Sequence, residues 1–285
     1  MAILTGINTR LSGSAGDWTF AQVAGKTVAK QKVAPKATPV RTMPIMRRRV
    51  QWGNLVNLFR SFEGTLHPSF ENRPDGVSDY NAFMQANIDT VPVYLTKDEA
   101  RQGGSVVAAY QITRGSLPSV AVTEGTDYVV SSIGVGTGFV IDDDTTVKEF
   151  SDAVVNNNDG YHHGDQITFF LASQTVNAAT QVPYVKIDAY EVTLDQTDNV
   201  TTLYSLVTHN GFEVSGGKLA IETGFNGAVA WVHSVRGQNG TRVSTQRFFV
   251  MNNLLPEYQT AAKLAEAVES YGGVRPEEFL TPNGD

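Results

Sequence analysis

Residues 227–250, GAVAWVHSVRGQNGTRVSTQRFFV, carry the pattern that decides the fold. Apolar and aromatic side chains alternate on both sides of a turn that contains Asn239-Gly240: Val229, Trp231, His233 and Val235 before it, Val243 and Phe249 after it. A period of two is typical of a strand with one buried face, and Asn-Gly favours the tight turn of a β-hairpin. The segment therefore predicts two antiparallel strands.

The same period predicts strands throughout the second part of the chain. We expect them at 105–114, 119–123, 127–133, 166–173, 183–194, 202–208, 212–221, 228–236 and 241–250. One helix, TTVKEFSDAVVNN, follows the acidic run Asp142-Asp143-Asp144, and a last helix extends from about Pro256 to Gly272-Gly273. Regularly spaced strands with turn signals are typical of an immunoglobulin-like β-sandwich.

A second hairpin is predicted near the start of the sequence, in GSAGDWTFAQVAGKTVAKQKV, residues 13–33. Its alternating side chains are Trp18 and Phe20 on the first strand and Val28, Lys30 and Lys32 on the second, with a turn at Ala24-Gly25. Two strands alone are marginally stable in water. This hairpin must therefore pack against something else, in its own chain or in another.

An extended arm and two helices are predicted after the hairpin. Pro35, Pro39 and Pro44 favour an extended conformation up to a helix that begins near Pro44, is capped by Thr42 and ends at Gly64. Its apolar residues recur at spacings of three, four and seven: Ile45, Trp52, Leu55, Val56, Phe59 and Phe62. A shorter helix, SDYNAFMQANI, begins at Ser78 or Asp79.

The predicted fold class is therefore α+β, mostly β. We expect an N-terminal hairpin and extended arm at 1–40, a helical unit at 41–90, a small α+β segment at 91–165, a β-sandwich at 166–253 and a C-terminal helix and tail at 254–285. With 285 residues, of which 41% are hydrophobic and 18% charged, the chain is long enough to bury a large core.

Charge is distributed unevenly along the chain. Residues 1–60 contain ten Lys or Arg and one acid, Asp17, for a net charge of +9, whereas residues 61–285 contain twelve basic and twenty-eight acidic residues, a net charge of −16. Arg47, Arg48 and Arg49 lie in the first turns of the predicted helix, where cations oppose the helix dipole. This pattern fits a basic arm that meets an acidic partner or, alternatively, an ordinary solvated helix face.

Several classes of protein are disfavoured. The absence of cysteine excludes disulfides, thiolate metal sites and cysteine nucleophiles, and fits assembly in the cytosol. The sequence begins without the apolar core of a signal peptide, and no apolar run is long enough for a membrane span.

No motif for an enzyme stands out. The run NNNDGYHHGD could bring Asp159, His162, His163 and Asp165 to a cation, but a solvated loop explains it better, and we expect no metal. The glycines of GVGTGF lack the GxGxxG spacing, and neither a P-loop nor a GxSxG elbow occurs. We predict no catalytic residue and no cofactor.

Three stretches together resemble an uncharacterised protein family that is found in Bacteroidetes and their phages, including crAss-like phages. They are LSGSAGDWTFAQVAGKTVAKQKV, the pair RTMPIMRRRVQWGNLVNLF and YNAFMQANI, and YQITRGSLPSV at 110–120, which cover roughly residues 1–120. The family has no catalytic residues to transfer. The resemblance implies a structural role in a virion, as a subunit of a neck or tail ring or as a capsid-associated protein.

The resulting prediction is a non-enzymatic, multi-copy phage virion protein of a ring or barrel at the capsid–tail junction, assembled in the host cytoplasm. Its partners would be copies of itself and other virion proteins, with transient contact to phage DNA passing its acidic body. The predicted assembly interface consists of Trp18, Phe20, Val28, Lys30, Lys32, Arg47, Arg48 and Arg49.

Three alternatives remain open at this point, beside a weaker one, an enzyme whose pair of catalytic carboxylates meets only in space. The first is a capsid-associated auxiliary or head-fibre protein. The second is a β-sandwich glycan-binding module with Trp231, Tyr204 and Phe225 as its aromatic platform. The third is a DNA-binding accessory protein that uses the basic and aromatic residues before position 60.

Overall fold

A computed structural model describes residues 2–4, 12–23, 26–32, 42–65, 69–74, 76–238, 240–252 and 255–273. The predicted turn at Ala24-Gly25, the arm with Pro35 and Pro39, and Asn239 lie outside these residues. Strands account for 34% and helices for 25%, which confirms the α+β, mostly β class.

The strands of the described residues are short at the N-terminus and longest in the centre of the chain. In chain order they are β1 (Ala2–Leu4), β2 (Gly13–Ala15), β3 (Trp18–Val23), β4 (Lys26–Gln31), β5 (Gln111–Thr113), β6 (Val122–Glu124), β7 (Tyr128–Gly134), β8 (Gln166–Val176), β9 (Pro183–Thr193), β10 (Glu213–Ser215), β11 (Lys218–Glu222), β12 (Gly227–Gly237), β13 (Gly240–Val243), β14 (Gln246–Arg247) and β15 (Phe249–Val250).

Five α-helices lie within the described ranges: α1 (Met43–Ser61), α2 (Asp79–Asn87), α3 (Lys97–Arg101), α4 (Val147–Asn157) and α5 (Ala261–Ser270). Thr42 and Ser78 occupy the predicted cap positions, but only the Ser78 hydroxyl accepts a backbone N–H, that of Asn81, whereas Thr42 makes no side-chain cap bond. The predicted last helix is a 3-10 turn, Pro256–Gln259, followed by α5.

The predicted hairpin at residues 227–250 is confirmed. β12 and β13 pair antiparallel with Gly237 opposite Gly240, and β12 pairs on its other side with β8. The resulting sheet has the order β13-β12-β8-β9, with β15 also pairing with β12. We call it the central sheet.

Each face of the central sheet contributes to a different hydrophobic core. Ala228, Ala230 and Val232 of β12 belong to one core, whereas Val229 and Trp231 belong to the other. The first core contains residues of α1 and α2, and the second contains residues of β7, β11 and α4. The central sheet therefore lies between a layer of helices and a second sheet, of order β10-β11-β7-β6.

Several predicted strands are wrong in detail: only Gln111–Thr113 of the expected strand 105–114 is a strand, and the expected strand 241–250 is divided among β13, β14 and β15. The pattern predicts a strand at 202–208, but these residues contain the 3-10 turn Leu203–Ser205, with Leu203 completely buried. The expected strand 212–221 is divided into β10 and β11 because Gly216 and Gly217 both adopt positive φ and form a turn.

The N-terminal hairpin is confirmed and extended. β3 and β4 pair antiparallel, and β1 and β2 add to their outer edges, in the order β1-β4-β3-β2. None of the described residues between 12 and 32 belongs to either of the two cores or to a third, smaller cluster. That third cluster joins α1 to α5 through Met46, Val50 and Val268.

Candidate interaction surfaces

The predicted apolar face of α1 is only partly buried. Leu55 and Phe62 are buried, but Ile45 and Trp52 are 48% and 47% exposed. The buried face instead includes three polar side chains: Gln51, Asn54 and Asn57. Two large apolar side chains consequently remain on the solvent side of α1, next to its arginines.

Asn57 fixes the short helix α3 beside this exposed face. Its Nδ2 donates to the carbonyl oxygens of Ala100 and Gly104, at 2.8 Å each. Gly53 permits close approach, because a Cβ there would lie 2.7 Å from the Cβ of Ala100 and 3.3 Å from the hydroxyl of Tyr271. Parts of α1, α3 and the end of α5 therefore meet around Gly53.

An ion pair holds α3 to α5, and the same glutamate closes the capping box at the start of α3. Glu99 accepts hydrogen bonds from the Thr96 backbone N–H at 2.7 Å and from Lys263 Nζ at 2.8 Å. Burial acts to raise the pKa of Glu99, but the hydrogen bonds from Lys263 and Thr96 outweigh it, so the pKa is lowered. The carboxylate stays ionised and the two helices stay joined.

The cleft between these elements, which we call the basic groove, has a volume of about 510 Å³. Four cationic and two aromatic side chains line it: Arg49, Arg60, Lys97, Arg101, Trp52 and Tyr271. Among the described residues that line it there is no carboxylate. Burial raises the pKa of Tyr271 while Arg49 and Arg101 act against this, which places both guanidinium groups within electrostatic reach of the hydroxyl.

An apolar extension continues the basic groove along α1. It has a volume of about 600 Å³ and shares Arg49, Trp52, Gly53 and Tyr271 with the groove. It adds the apolar side chains of Ile45 and Ile88 together with Gln85 and the mutually paired Arg48 and Asp89. A basic half and an apolar half thus adjoin at Trp52. This arrangement suits a ligand that has acidic groups next to an apolar side chain.

The three consecutive arginines of the predicted interface have different surroundings. Arg48 donates two hydrogen bonds to the Asp89 carboxylate, at 3.0 and 2.9 Å, and this pair raises the pKa of Arg48. Arg49 lines the basic groove, and Arg47 is exposed beside Pro44 and Leu264. Arg48 is therefore already paired within the chain, whereas Arg49 faces the groove.

The hairpin residues of the predicted interface lie on two faces. Trp18 is opposite Gln31 and Phe20 is opposite Ala29, so these two aromatic side chains share one face of the sheet. Val28 and Lys30, opposite Ala21 and Thr19, lie on the other face. Trp18 is 48% exposed, and Phe20 and Val28 are half-buried. Lys30 and Lys32 are exposed. The structure does not bring the hairpin residues and the three arginines together in one described contact.

The NNNDGYHHGD run is divided among separate contacts. The Asp165 carboxylate lies 2.9 Å from Nε2 of His233, and the Tyr161 ring stacks on His233 with centroids 4.0 Å apart. His163 instead lies 3.4 Å from Asp152, and His162 is exposed. The part of the chain that the structure describes contains no group of three or more His, Cys, Asp or Glu side chains placed to hold a metal ion.

The aromatic platform considered for a glycan does not form around Trp231. That side chain is completely buried, donates its Nε1–H to the Gly211 carbonyl at 2.8 Å and packs on Phe169, with ring centroids 4.9 Å apart.

The glycine-rich motif GVGTGF forms part of a loop in which the N–H groups of Val135 and Gly136 donate to the Gly217 carbonyl.

Sequence reasoning found Arg49 but missed Lys97, Arg101 and Tyr271, which complete the basic groove. The available signal was the capping box that begins at Thr96 and ends at Glu99, because it predicts a helix start just before Lys97. Nothing in the sequence pattern placed that helix beside residue 49.

Comparisons with protein-family models, with curated proteins and with solved structures find no significant match. Among the helices of the described ranges, none has the length and apolar character required to cross a bilayer. The surfaces described above are therefore the basis for a functional proposal.

Proposed function

We propose that this chain is a multi-copy structural subunit of a phage virion, in a ring or barrel at the capsid–tail junction, and that its N-terminal sheet binds a neighbouring copy. One observation carries the proposal: a four-stranded sheet with a half-exposed tryptophan contributes no described residue to the three hydrophobic clusters of the chain. Small sheets with open edges are suited to pairing with another chain.

The distribution of charge supports the same proposal. Lys26, Lys30 and Lys32 are exposed on or next to β4, and the acidic run Asp142-Asp143-Asp144 is exposed on the body. A basic sheet meeting an acidic neighbour gives attraction between copies, and exposed acids repel DNA that passes through a ring. Head-to-tail contacts of this kind close into rings when the rotation between copies allows it.

The resemblance of residues 1–120 to an uncharacterised protein family found in Bacteroidetes and their phages favours the virion location, and other virion proteins would be the remaining partners. We also propose that the two sheets on either side of the second core form an immunoglobulin-like β-sandwich. Trp231 on the central sheet and Leu219 on β11 pack in that core, as facing sheets of a sandwich do.

A capsid-associated protein is the second candidate, because a small exposed sheet could equally bind a capsid surface. The two differ in symmetry: a ring subunit forms closed oligomers by itself, whereas an auxiliary protein needs the capsid. For a glycan-binding module, the burial of Trp231 removes the central residue of the platform.

The test compares the full chain with a variant that lacks residues 1–40, by native mass spectrometry and imaging. We expect closed oligomers from the full chain and a folded monomer from the variant, since the three hydrophobic clusters contain no described residue before position 42. Trp18→Ala should weaken assembly, and Val200→Ala, at an 84% exposed position, is the matched control. The same oligomer from the shortened chain would rule the proposal out.

A DNA-binding accessory protein is distinguished by salt dependence. Such a protein would bind free DNA, and its affinity would fall steeply with salt and with each Lys or Arg removed from residues 26–49. A ring subunit should show little affinity for free DNA. Strong, salt-dependent binding of a free duplex would favour the accessory protein.

A further inference from the structure

The chain leaves its last described helix beside the basic groove. Tyr271 lines the groove, and two residues later a Cβ on Gly273 would lie 2.6 Å from Val268 Cγ1 and 3.0 Å from Met46 Cε of α1. The residues that follow, 274–285, have the sequence VRPEEFLTPNGD. They therefore continue from a point that packs on the helix carrying the groove.

The charge and polarity of this segment complement the groove. It contains three acids, Glu277, Glu278 and Asp285, against one base, Arg275, and two large apolar residues directly follow the glutamates in EEFL, 277–280. The groove is lined by four cations, and its extension beside Trp52 adds the apolar side chains of Ile45 and Ile88. The segment and the groove thus each combine a charged part with an adjacent apolar part, and the two charged parts have opposite sign.

The distance is within reach of the same chain. Residues 277–280 are four to seven positions beyond Gly273, and an extended chain spans at most about 3.3–3.6 Å per residue, or roughly 13–25 Å in all. The stretch of α1 from Ile45 to Arg60 is about 22 Å long. A short tether also gives a local concentration in the millimolar range, so weak contacts suffice for occupancy.

We propose that the basic groove and its apolar extension bind residues 277–280 of the same chain, with the glutamates against Arg49 and Arg101 and Phe279 against Trp52. The inference is independent of the proposed function, because groove and segment belong to one chain. It gives the exposed apolar residues of α1 an occupant and two of the four groove cations, Arg49 and Arg101, their counter-charges.

The absence of cysteine from the sequence permits a direct test in the full chain. Val56 lines the groove, so Val56→Cys combined with Phe279→Cys should form a disulfide within one chain under mild oxidation. The matched control is Val200→Cys combined with Phe279→Cys, since Val200 is 84% exposed and does not line the groove. We expect the first pair to cross-link at least about tenfold faster, given millimolar local concentration. Equal rates, or cross-links only between chains, would overturn the proposal.

A charge reversal in the same cross-linking assay tests the electrostatic part. Replacing Glu277 and Glu278 by Lys should slow disulfide formation between the two introduced thiols about three- to tenfold, and Arg49→Glu with Arg101→Glu should do the same. Combining both reversals should restore the rate. Glu222→Lys, at the exposed end of β11, is the control that should change nothing. No response to either reversal would contradict the assigned contacts.

Discussion

The central sheet and the N-terminal sheet each carry a tryptophan on a strand, in opposite surroundings. Trp231 is completely buried between Phe169 and the Gly211 carbonyl, whereas Trp18 remains 48% exposed. Alternation of side chains looks the same in both stretches of sequence. The difference shows that alternation predicts the strand, while the layers packed on it decide whether its tryptophan stabilises the fold or remains available for a partner.

The largest expected effect is the loss of Trp231. Trp231→Ala removes a buried indole and leaves the Gly211 carbonyl without its donor, so the free energy of unfolding should fall by about 3–5 kcal/mol. Trp18→Ala should change it by about 0.5 kcal/mol or less, as is usual at exposed positions. Urea unfolding followed by circular dichroism measures both. Similar losses for the two variants would break the comparison.

An intermediate effect is expected from acidification, in two steps. Burial lowers the pKa of His233 below its ordinary 6.5, although the hydrogen bond with Asp165 opposes this, and the pKa of Glu99 is lowered from 4.5. A group whose pKa is lower in the folded state binds more protons when unfolded, so stability falls as the pH decreases. The decline should begin below about pH 6.5 for the central sheet and deepen below about pH 4.5 for the α3–α5 contact.

These steps are separated by substitution and by urea unfolding at several pH values. His233→Asn should remove the first decline and Glu99→Gln the second. A free energy of unfolding that rises as the pH is lowered from 6.5 to 5 would contradict the assignment to a buried, neutral His233.

The smallest expected effect distinguishes two threonine caps. Thr146 accepts the backbone N–H of Glu149, and the Glu149 side chain accepts the backbone N–H of Thr146, so Thr146→Ala should cost about 1 kcal/mol. Thr42 precedes α1 without a side-chain cap bond, so Thr42→Ala should cost nearly nothing. Thermal unfolding compares the pair, and an equal cost at both positions would show that cap geometry does not govern these helices.

Local patterns predicted the elements that local physics decides. The hairpins at β3–β4 and β12–β13 and the helix α4 followed from alternation, turn residues and caps. The expected strand 105–114 was only partly formed, because Val106 and Val107 donate their N–H groups to side chains of Asn54 and Gln174 instead of to a neighbouring strand. Such bonds join residues far apart in sequence, so no local pattern reveals them.

The basic groove was harder to predict than the strands and helices because it too depends on contacts between residues that are far apart in sequence. Arg49 and Trp52 are on one helix, but Arg101 and Tyr271 reach the basic groove only through the packing of α3 and α5. The buried face of α1 was also predicted incorrectly. The pattern placed Ile45 and Trp52 on that face, whereas the structure buries Asn54 and Asn57 there and leaves Ile45 and Trp52 about half exposed.

Because successive residues of β12 point to opposite faces, even-numbered and odd-numbered positions of this strand belong to different hydrophobic cores. Even-numbered residues such as Ala230 support the helices that form the basic groove, and odd-numbered residues such as Val229 support the second sheet. A single inserted residue would exchange the two sets and present Trp231 to the helices, where alanines now leave room. The register of this one strand therefore determines the packing of both hydrophobic cores at once.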